Sequence, residues 1–419
     1  MKLIYKIALL FAFAAIAFSA KAQGSIAADA DSATIAKMQN VKISLLTCGG
    51  YDEVWALYGH SALRIEMLET GEDYAVNYGL FDFNQPNFIG RFMFGKCDYL
   101  MGLVPFEAFL QEFSAKGAAV FQQEINLTPK EKASVLAALY ENSLPENCQY
   151  RYNFFYDNCA TRPRDIILNN IPDRIIYTNE IDQTKTFRQI IHENNEQKPW
   201  CRLGNDLLLG VNADEPTTRA DQQFLPSNLE RDFSAAQFVD SAGNKRPVVL
   251  SSKWILQGKA AYTQEFPLSP TACACIILAL AVALTLIEYW QKKRFWIADT
   301  ILLTLCGILG VVLFLMIFSE HPTVSLNWII FAFNPLLLVF LWRIIKELRR
   351  KRLPVVCLVY MIFVTLAMSY TSKDILPIGP QCAPEGFHIV CLALLVRLIR
   401  RLSLEKRGKF IHKGICKRT

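Results

Sequence analysis

A cysteine, Cys159, stands where a thiol can become a nucleophile. An aromatic run that reads as a buried strand breaks at Asp157-Asn158, and Pro163 then suits the first turn of a helix. A helix N-terminus and the nearby Arg162 and Arg164 would favour the thiolate, which is the reactive form. A buried structural cysteine is the alternative, because lone cysteines are commonly core residues.

A nucleophilic cysteine needs a general base and a polar group that orients the base. Between the N-terminal leader and the apolar C-terminal half, the sequence has two histidines, His60 and His192. His60 stands immediately before a predicted strand, where its side chain can project toward a cleft, although a turn histidine needs no function. We predict His60 as the base of Cys159 and Asn77 as the orienting group, with Asp82 as its competitor.

The cysteine count supports one reactive thiol. The same segment has an odd number of cysteines, so at least one is free or paired between chains. They are Cys48, Cys97, Cys148, Cys159 and Cys201. In an oxidising compartment we expect disulfides among the other four, with no pairing fixed by spacing. No metal-ligand spacing, Gly-rich phosphate loop or nucleic-acid signature appears, so we predict no cofactor, no metal and no nucleic-acid partner.

The elements around these residues predict an α+β domain over 41–268. Alternating apolar residues predict strands, and helical periodicity with a capping box at Thr128 predicts helices. The strands are Val41–Cys48, Ala62–Glu66 and Tyr74–Gly79, and the helices are Pro105–Ser114 and Thr128–Ser143. From Ile171 to about Gln264 the chain is polar and reads as an irregular, wrapping extension of the same domain.

The C-terminal half predicts a helical membrane domain over 269–402. The chain is 52% hydrophobic with a mean hydropathy of +0.21, which is too apolar for an ordinary soluble protein. Several apolar runs approach the about 20 residues that span a bilayer. They are 272–290, 295–318, 327–345, 354–371 and 387–399. We therefore expect about five spans.

The leader and the basic clusters predict the orientation. Lys2 and Lys6, an apolar run and Ala20-Lys21-Ala22 form a signal peptide over 1–22, with a retained anchor as the alternative. A linker over 23–40 follows. Basic residues follow the first, third and fifth runs and continue into a cytoplasmic tail over 403–419. We predict a multi-pass protein of the inner membrane whose N-terminal domain is periplasmic.

Several motifs of the chain together indicate a family. They are Leu45-Leu46-Thr47-Cys48, Gly59-His60-Ser61-Ala62-Leu63-Arg64, Asn77-Tyr78-Gly79-Leu80-Phe81-Asp82-Phe83, Phe154 to Asp165, Pro199-Trp200, Gly204 to Gly210 and Phe224-Leu225-Pro226. These motifs resemble the periplasmic domain of the Lnb family, the lipoprotein N-acyltransferases of Bacteroidota. His321-Pro322, Asn327 and Asn334-Pro335 resemble its membrane part. The resemblance covers nearly the whole chain after the leader.

A wider resemblance concerns the fold of the first domain. An early histidine followed much later by Asn158-Cys159 at a helix start is similar to the circularly permuted papain-like enzymes, which include the NlpC/P60-like group. The resemblance implies an α+β permuted papain-like (NlpC/P60-like) periplasmic domain followed by an α-helical membrane domain. It also implies Cys159 as nucleophile and His60 as base. The third group is often a second histidine there, and Asn77 takes that place here.

The resemblance implies acyl transfer from a membrane phospholipid, through a Cys159 thioester, to the α-amine of diacylglyceryl-cysteine lipoproteins. Both substrates reside in the lipid bilayer. The residues expected to bind substrate are Tyr58, Ser61, Tyr78, Asp82, Asn158, Arg162, Arg164, His321 and His388. For the arginines solvated surface charges, and for His321 and His388 interfacial anchors, are the alternatives. A thiol hydrolase acting on cell-wall peptides and a non-catalytic envelope scaffold are the rival functions.

Overall fold

The computed structural model describes residues 32–80, 86–259, 261–263, 266–350, 353–373 and 379–400. The predicted signal peptide and basic tail lie outside these residues. The chain divides into two compact units. The first is Met1–Lys185 with Pro216–Thr263, and the second is Thr186–Glu215 with Gln264–Thr419. The segment Thr186–Glu215 thus groups with the apolar half, whereas the domain limits predicted from the sequence stay predictions.

The strands lie in the first unit and form two antiparallel sheets. In chain order they are β1 (Val41–Cys48), β2 (His60–Met67), β3 (Glu72–Leu80), β4 (Asp98–Pro105), β5 (Val120–Ile125), β6 (Gln149–Arg151), β7 (Arg174–Tyr177), β8 (Ala236–Val239), β9 (Lys245–Pro247) and β10 (Val249–Leu256). The larger sheet has the order β10-β5-β1-β2-β3-β4-β6, and the smaller has the order β7-β8-β9. The three strands predicted from alternation are confirmed as β1, β2 and β3.

Both faces of the larger sheet are covered because its central strands carry apolar residues on each side. Leu45, Leu63 and Val76 are fully buried in one core cluster. Leu46 and Ala62 are fully buried in another, together with the aromatic side chains of the helix Phe106–Ala115. Successive side chains of a strand point to opposite faces, so these central strands form the middle layer of the unit.

The helices also follow the predicted pattern in part. In chain order they are α1 (Ser32–Lys37), α2 (Phe88–Met93), α3 (Phe106–Ala115), α4 (Pro129–Ser143), α5 (Thr161–Asn169), α6 (Phe187–Asn194), α7 (Pro199–Leu208), α8 (Arg219–Gln222), α9 (Pro226–Ser234), α10 (Pro270–Gln291), α11 (Trp296–Met316), α12 (Leu336–Val339), α13 (Leu341–Arg349) and α14 (Val355–Tyr370). The capping box at Thr128 is confirmed: its N–H donates to Glu131 at 2.7 Å, and its hydroxyl accepts from the Glu131 N–H at 3.3 Å.

Two predictions about secondary structure are wrong. The aromatic run before Cys159 is not a strand beyond Arg151, because Asn153 and Asp157 pair with each other across a tight turn. The stretch from Ile171 to Gln264 is not irregular, since it contains α6 to α9 and β7 to β10. Short elements with few apolar residues gave too weak a periodicity to be recognised.

The second unit is helical and apolar. By length and composition, α10 and α11 are long enough to cross a membrane among the described residues. The run predicted over 327–345 is broken: Trp328–Val339 and α13 meet at an angle of 79° and count as a third span only if taken together. The helix α14 is shorter, and residues 387–400 are helical. The predicted number of about five spans stays a prediction.

Candidate active site

The central sheet brings His60 and Asn77 together. His60 is the first residue of β2. Asn77, on β3, pairs with Ala62 of β2, so Asn77 is a diagonal neighbour of His60 on the same face of the sheet. The distance between His60 Nε2 and Asn77 Oδ1 is 2.7 Å. With Nε2 protonated, the ring donates to the amide oxygen, which fixes the orientation of the imidazole.

Cys159 stands just before α5, and Asn158 holds the chain there. The side-chain oxygen of Asn158 accepts from the backbone N–H groups of Ala160 and Thr161 at 2.8 and 3.0 Å. Its amide group donates to the carbonyl oxygens of Phe154 and Phe224 at 2.8 and 2.9 Å. The side chain of Asn158 is therefore fully used in fixing the backbone that carries Cys159.

His60 and Cys159 form a hydrogen-bonded pair. Because Nε2 faces Asn77, the other ring nitrogen, Nδ1, is the one left for the thiol. Burial raises the pKa of Cys159, but the charge of His60, its hydrogen bond and the backbone N–H of Ser61 lower the pKa below its ordinary value. Burial lowers the pKa of His60, but the charge and hydrogen bond of Cys159 and the bond to Asn77 raise it above its ordinary value. Both shifts favour a thiolate and an imidazolium.

A glycine lies beside this pair. Gly79 has φ +104°, a conformation that L side chains rarely adopt, and it stands at a register shift between β3 and β4. A Cβ at this position would lie 3.8 Å from His60 Cε1 and 4.0 Å from Cys159 Cβ. Gly79 therefore keeps the space next to both reactive side chains unoccupied.

The pair lines a cavity of about 450 Å³, a size suited to a small-molecule ligand. Its walls are largely aromatic: Tyr99 stacks on Tyr152 with ring centroids 4.2 Å apart, and Phe113 stacks on His60 at 6.0 Å. Its polar lining includes Tyr51, Glu53, Glu112 and Lys116. Such a cavity suits a substrate with an apolar part and a polar or charged part.

The two arginines after Cys159 have other partners. Arg162 forms a two-pronged ion pair with Asp157 at 2.6 and 2.7 Å, and Arg164 pairs with Asp165 at 2.7 Å. Neither arginine lines the cavity. The lowered pKa of Cys159 comes from His60 and backbone N–H groups. The expectation that these arginines stabilise the thiolate is therefore wrong.

The other predicted binding residues are scattered. Tyr58 lines the cavity, whereas Ser61 is fully buried and contributes its backbone N–H to Cys159. Tyr78 is also fully buried on the opposite face, where its hydroxyl donates to Asn142 at 2.8 Å. The structure thus brings Tyr58 and the backbone of Ser61 to the pair, and it does not bring Tyr78.

The remaining predicted binding residues are Asp82, His321 and His388. Asp82 lies outside the described residues. His321 and His388 belong to the second unit. There the Nε2 atom of His388 lies 3.2 Å from the backbone oxygen of Met368.

The predicted disulfides are not all present. Cys48 and Cys148 carry free thiols, as Cys159 does, so the expectation that the other four cysteines pair among themselves is wrong. Cys48 is buried opposite His60 in the register of β1 and β2, and burial raises its pKa well above the ordinary thiol value. The pKa of the Cys48 thiol is thus raised, whereas the pKa of the Cys159 thiol is lowered.

Sequence reasoning missed the residues that shape the cavity. Phe113 and Lys116 come from the end of α3, and Tyr99 and Tyr152 come from β4 and the turn before Cys159. The apolar spacing of Phe106, Phe109 and Phe113 predicts the buried face of α3 but not which end of it reaches His60. Among the described residues, no group of three or more His, Cys, Asp or Glu side chains is arranged to hold a metal.

Comparison with known families covers both units. A family model for the Lnb N-terminal periplasmic domain matches residues 29–193, and one for the Lnb transmembrane domain matches residues 262–409. The first match contains His60, Asn77 and Cys159. No curated protein and no solved structure matches the chain.

Proposed function

Because the chain belongs to the Lnb family, with a periplasmic N-terminal domain, a transmembrane domain and a function related to lipoprotein N-acylation, we propose that it is a Cys-His lipoprotein N-acyltransferase. The donor is a membrane phospholipid, and the acceptor is the α-amine of a diacylglyceryl-cysteine lipoprotein. The single observation that carries this proposal is the His60 ring, which is hydrogen-bonded to both Asn77 and Cys159 in one cavity.

In the first step, the Cys159 thiolate attacks an ester carbonyl of the phospholipid. A carbon–sulfur bond forms, and the tetrahedral intermediate collapses by breaking the bond to the glycerol oxygen. His60, protonated in the resting pair, gives its proton to that oxygen, so a lysophospholipid leaves. The backbone N–H of Cys159 is the proposed donor to the oxyanion.

In the second step, the lipoprotein amine attacks the thioester. His60 is now neutral and takes the proton that the amine loses as the amide bond forms. The Cys159 thiolate departs and the ion pair with His60 is restored. Asn77 holds the imidazole in one orientation through both steps, because its amide oxygen accepts from Nε2 and leaves Nδ1 toward the sulfur.

The arrangement of strands and helices in the first unit bears on its fold family. An antiparallel sheet with the base at the start of β2 and the nucleophile at the start of α5 supports the permuted papain-like assignment, which we propose together with about five spans in the inner membrane. Tyr58 is the predicted binding residue that we retain for substrate, since it lines the cavity.

The test uses cells that depend on this protein for lipoprotein N-acylation. Cys159→Ala and His60→Ala should each abolish the N-acyl group, read by mass spectrometry of lipoprotein N-termini. Cys148→Ala is the matched control, since it removes another free thiol of the same unit that does not line the cavity. Full N-acylation in Cys159→Ala cells would refute the proposal.

The same catalytic pair also suits a hydrolase, in which water takes the acyl or peptidyl group from Cys159. Analysis of cell-wall fragments in the same strains separates the two reactions. Altered fragments together with normal lipoprotein N-termini in the Cys159→Ala strain would favour the hydrolase.

A further inference from the structure

Among the described residues, one lysine, Lys116, lines the cavity that holds Cys159. Lys116 follows α3, and its Nζ donates to the Tyr51 hydroxyl at 2.8 Å and to Glu112 Oε1 at 2.9 Å. Nζ also lies 4.3 Å from the centroid of the Tyr51 ring. An ammonium group has three N–H donors, so these contacts hold the charge in place and leave one donor for a ligand.

Two carboxylates accompany this lysine. Glu53 and Glu112 line the same cavity, and the Glu112 side chain is 53% exposed. Because the thiolate and imidazolium of Cys159 and His60 cancel, these three side chains give the described part of the lining a net negative charge. A purely anionic head group would meet repulsion there, whereas a head group with one phosphate and one ammonium has a partner for each charge.

The order of groups along the cavity fits a glycerophospholipid. Phe113, near the end of α3, stacks on His60, and Lys116 comes three residues later, directly after α3. In such a lipid the acyl ester and the phosphate are likewise separated by the short glycerol unit. A phosphate bound to Lys116 would leave the glycerol esters of the same lipid within the cavity that Cys159 lines.

We propose that Lys116, Glu112 and Glu53 form a head-group site for a zwitterionic, amine-bearing phospholipid, with the phosphate on Lys116 and the ammonium on the carboxylates. The proposal rests on the proposed acyltransferase function, because it assigns the donor of the first step. It makes these three side chains determinants of donor choice and leaves the bond-making step to Cys159 and His60.

The experiment measures acyl-enzyme formation by the purified full-length protein. The lipid probes are vesicles of phosphatidylcholine that contain either phosphatidylethanolamine or phosphatidylglycerol, and the third probe is p-nitrophenyl butyrate, an ester without a head group. We expect the wild-type protein to use phosphatidylethanolamine at least about tenfold better than phosphatidylglycerol. Lys116→Met should lower phosphatidylethanolamine use about tenfold, the scale of one hydrogen bond to a charged group, and leave the butyrate reaction unchanged.

Further variants separate a binding role from a structural one. Lys116→Arg should recover much of the phosphatidylethanolamine reaction, and Glu112→Gln should raise the relative use of phosphatidylglycerol. Lys130→Met, at an exposed lysine of α4 that does not line the cavity, is the matched control and should change nothing.

Two results would overturn the head-group site. One is equal use of both phospholipids by the wild-type protein, and the other is a loss of the butyrate reaction in Lys116→Met as large as the loss with lipid. Failure of the acyltransferase function itself would look different. The wild-type protein would then react with p-nitrophenyl butyrate and form no acyl-enzyme from either phospholipid, which would refute both proposals.

Discussion

The hydrogen bond between Asn77 and His60 gives the sharpest test of the catalytic geometry. Asn77→Ala removes the amide oxygen that accepts from Nε2 at 2.7 Å, at a side chain that is only 8% exposed. Cys159 and His60 both remain, so the nucleophile is retained. What changes is the orientation of the imidazole and the stability of its protonated form.

The size of the effect follows from the nature of this bond. A hydrogen bond to a charged group contributes about 1.5 to 3 kcal/mol. Since about 1.4 kcal/mol corresponds to a factor of ten in rate, acyl-enzyme formation by Asn77→Ala should be about 10- to 100-fold slower. This is much less than the complete loss expected for Cys159→Ala.

The pH dependence of the rate gives an independent readout. The reactive form has a thiolate and an imidazolium, so the rate falls on the alkaline side as His60 loses its proton. The bond to Asn77 is among the contacts that raise the pKa of His60. Its removal lowers that pKa, and the alkaline limb of the rate profile should therefore move to lower pH.

The assay is single-turnover acyl-enzyme formation across a range of pH, with Asn77→Asp as the control. A carboxylate keeps an acceptor for Nε2, so this variant should retain an alkaline limb at or above that of the wild-type protein. An Asn77→Ala protein with an unchanged rate and an unchanged alkaline limb would refute the orienting role.

The remaining predictions separate stability from chemistry. Asn158→Ala should destabilise the first unit by about 2 to 4 kcal/mol, because four hydrogen bonds are lost, three of them buried, and should lower the thermal midpoint of the full-length protein. Thr128→Ala should cost about 1 kcal/mol by the same measurement and leave N-acylation intact. Gly79→Ala should reduce acyl-enzyme formation more than stability, because φ +104° strains a residue beside the catalytic pair. Alkylation of Cys159 by iodoacetamide should persist below the ordinary thiol pKa and shift to higher pH in His60→Ala, since His60 is what lowers that pKa; an unshifted profile would contradict the ion pair.

Much of the catalytic arrangement could be predicted because it depends on local signals. Alternation in β1, β2 and β3 sets which residues share a face, and this is enough to place His60 and Asn77 near each other. Pro163 and the polar residues before it mark the start of α5, which places Cys159 at a helix N-terminus. These signals act over a few residues and require no knowledge of long-range packing.

The failures concern charge partners and long-range contacts. Arg162 and Arg164 are close to Cys159 in sequence, but acidic residues equally close in sequence, Asp157 and Asp165, pair with them. Lys116 is 43 positions before Cys159 (159 − 116), and it lines the same cavity because α3 covers one face of the sheet. Sequence proximity was therefore a poor guide to which charges the nucleophile meets.

The position of the Cys159 sulfur and its charge depend on different residues. The Asn158 side chain forms four hydrogen bonds with backbone groups, two of them at the start of α5, and these bonds hold the chain that carries the sulfur. The charge state of Cys159 is then set from the sheet, by His60 and the Ser61 N–H. A substitution at Asn158 should therefore change the stability of the first unit more than the reactivity of Cys159. A substitution at His60 or Asn77 should change the reactivity of Cys159 more than the stability. The aromatic run before Cys159, which is not a strand, supplies the Phe154 carbonyl that accepts from Asn158 and, with Tyr152, a wall of the cavity.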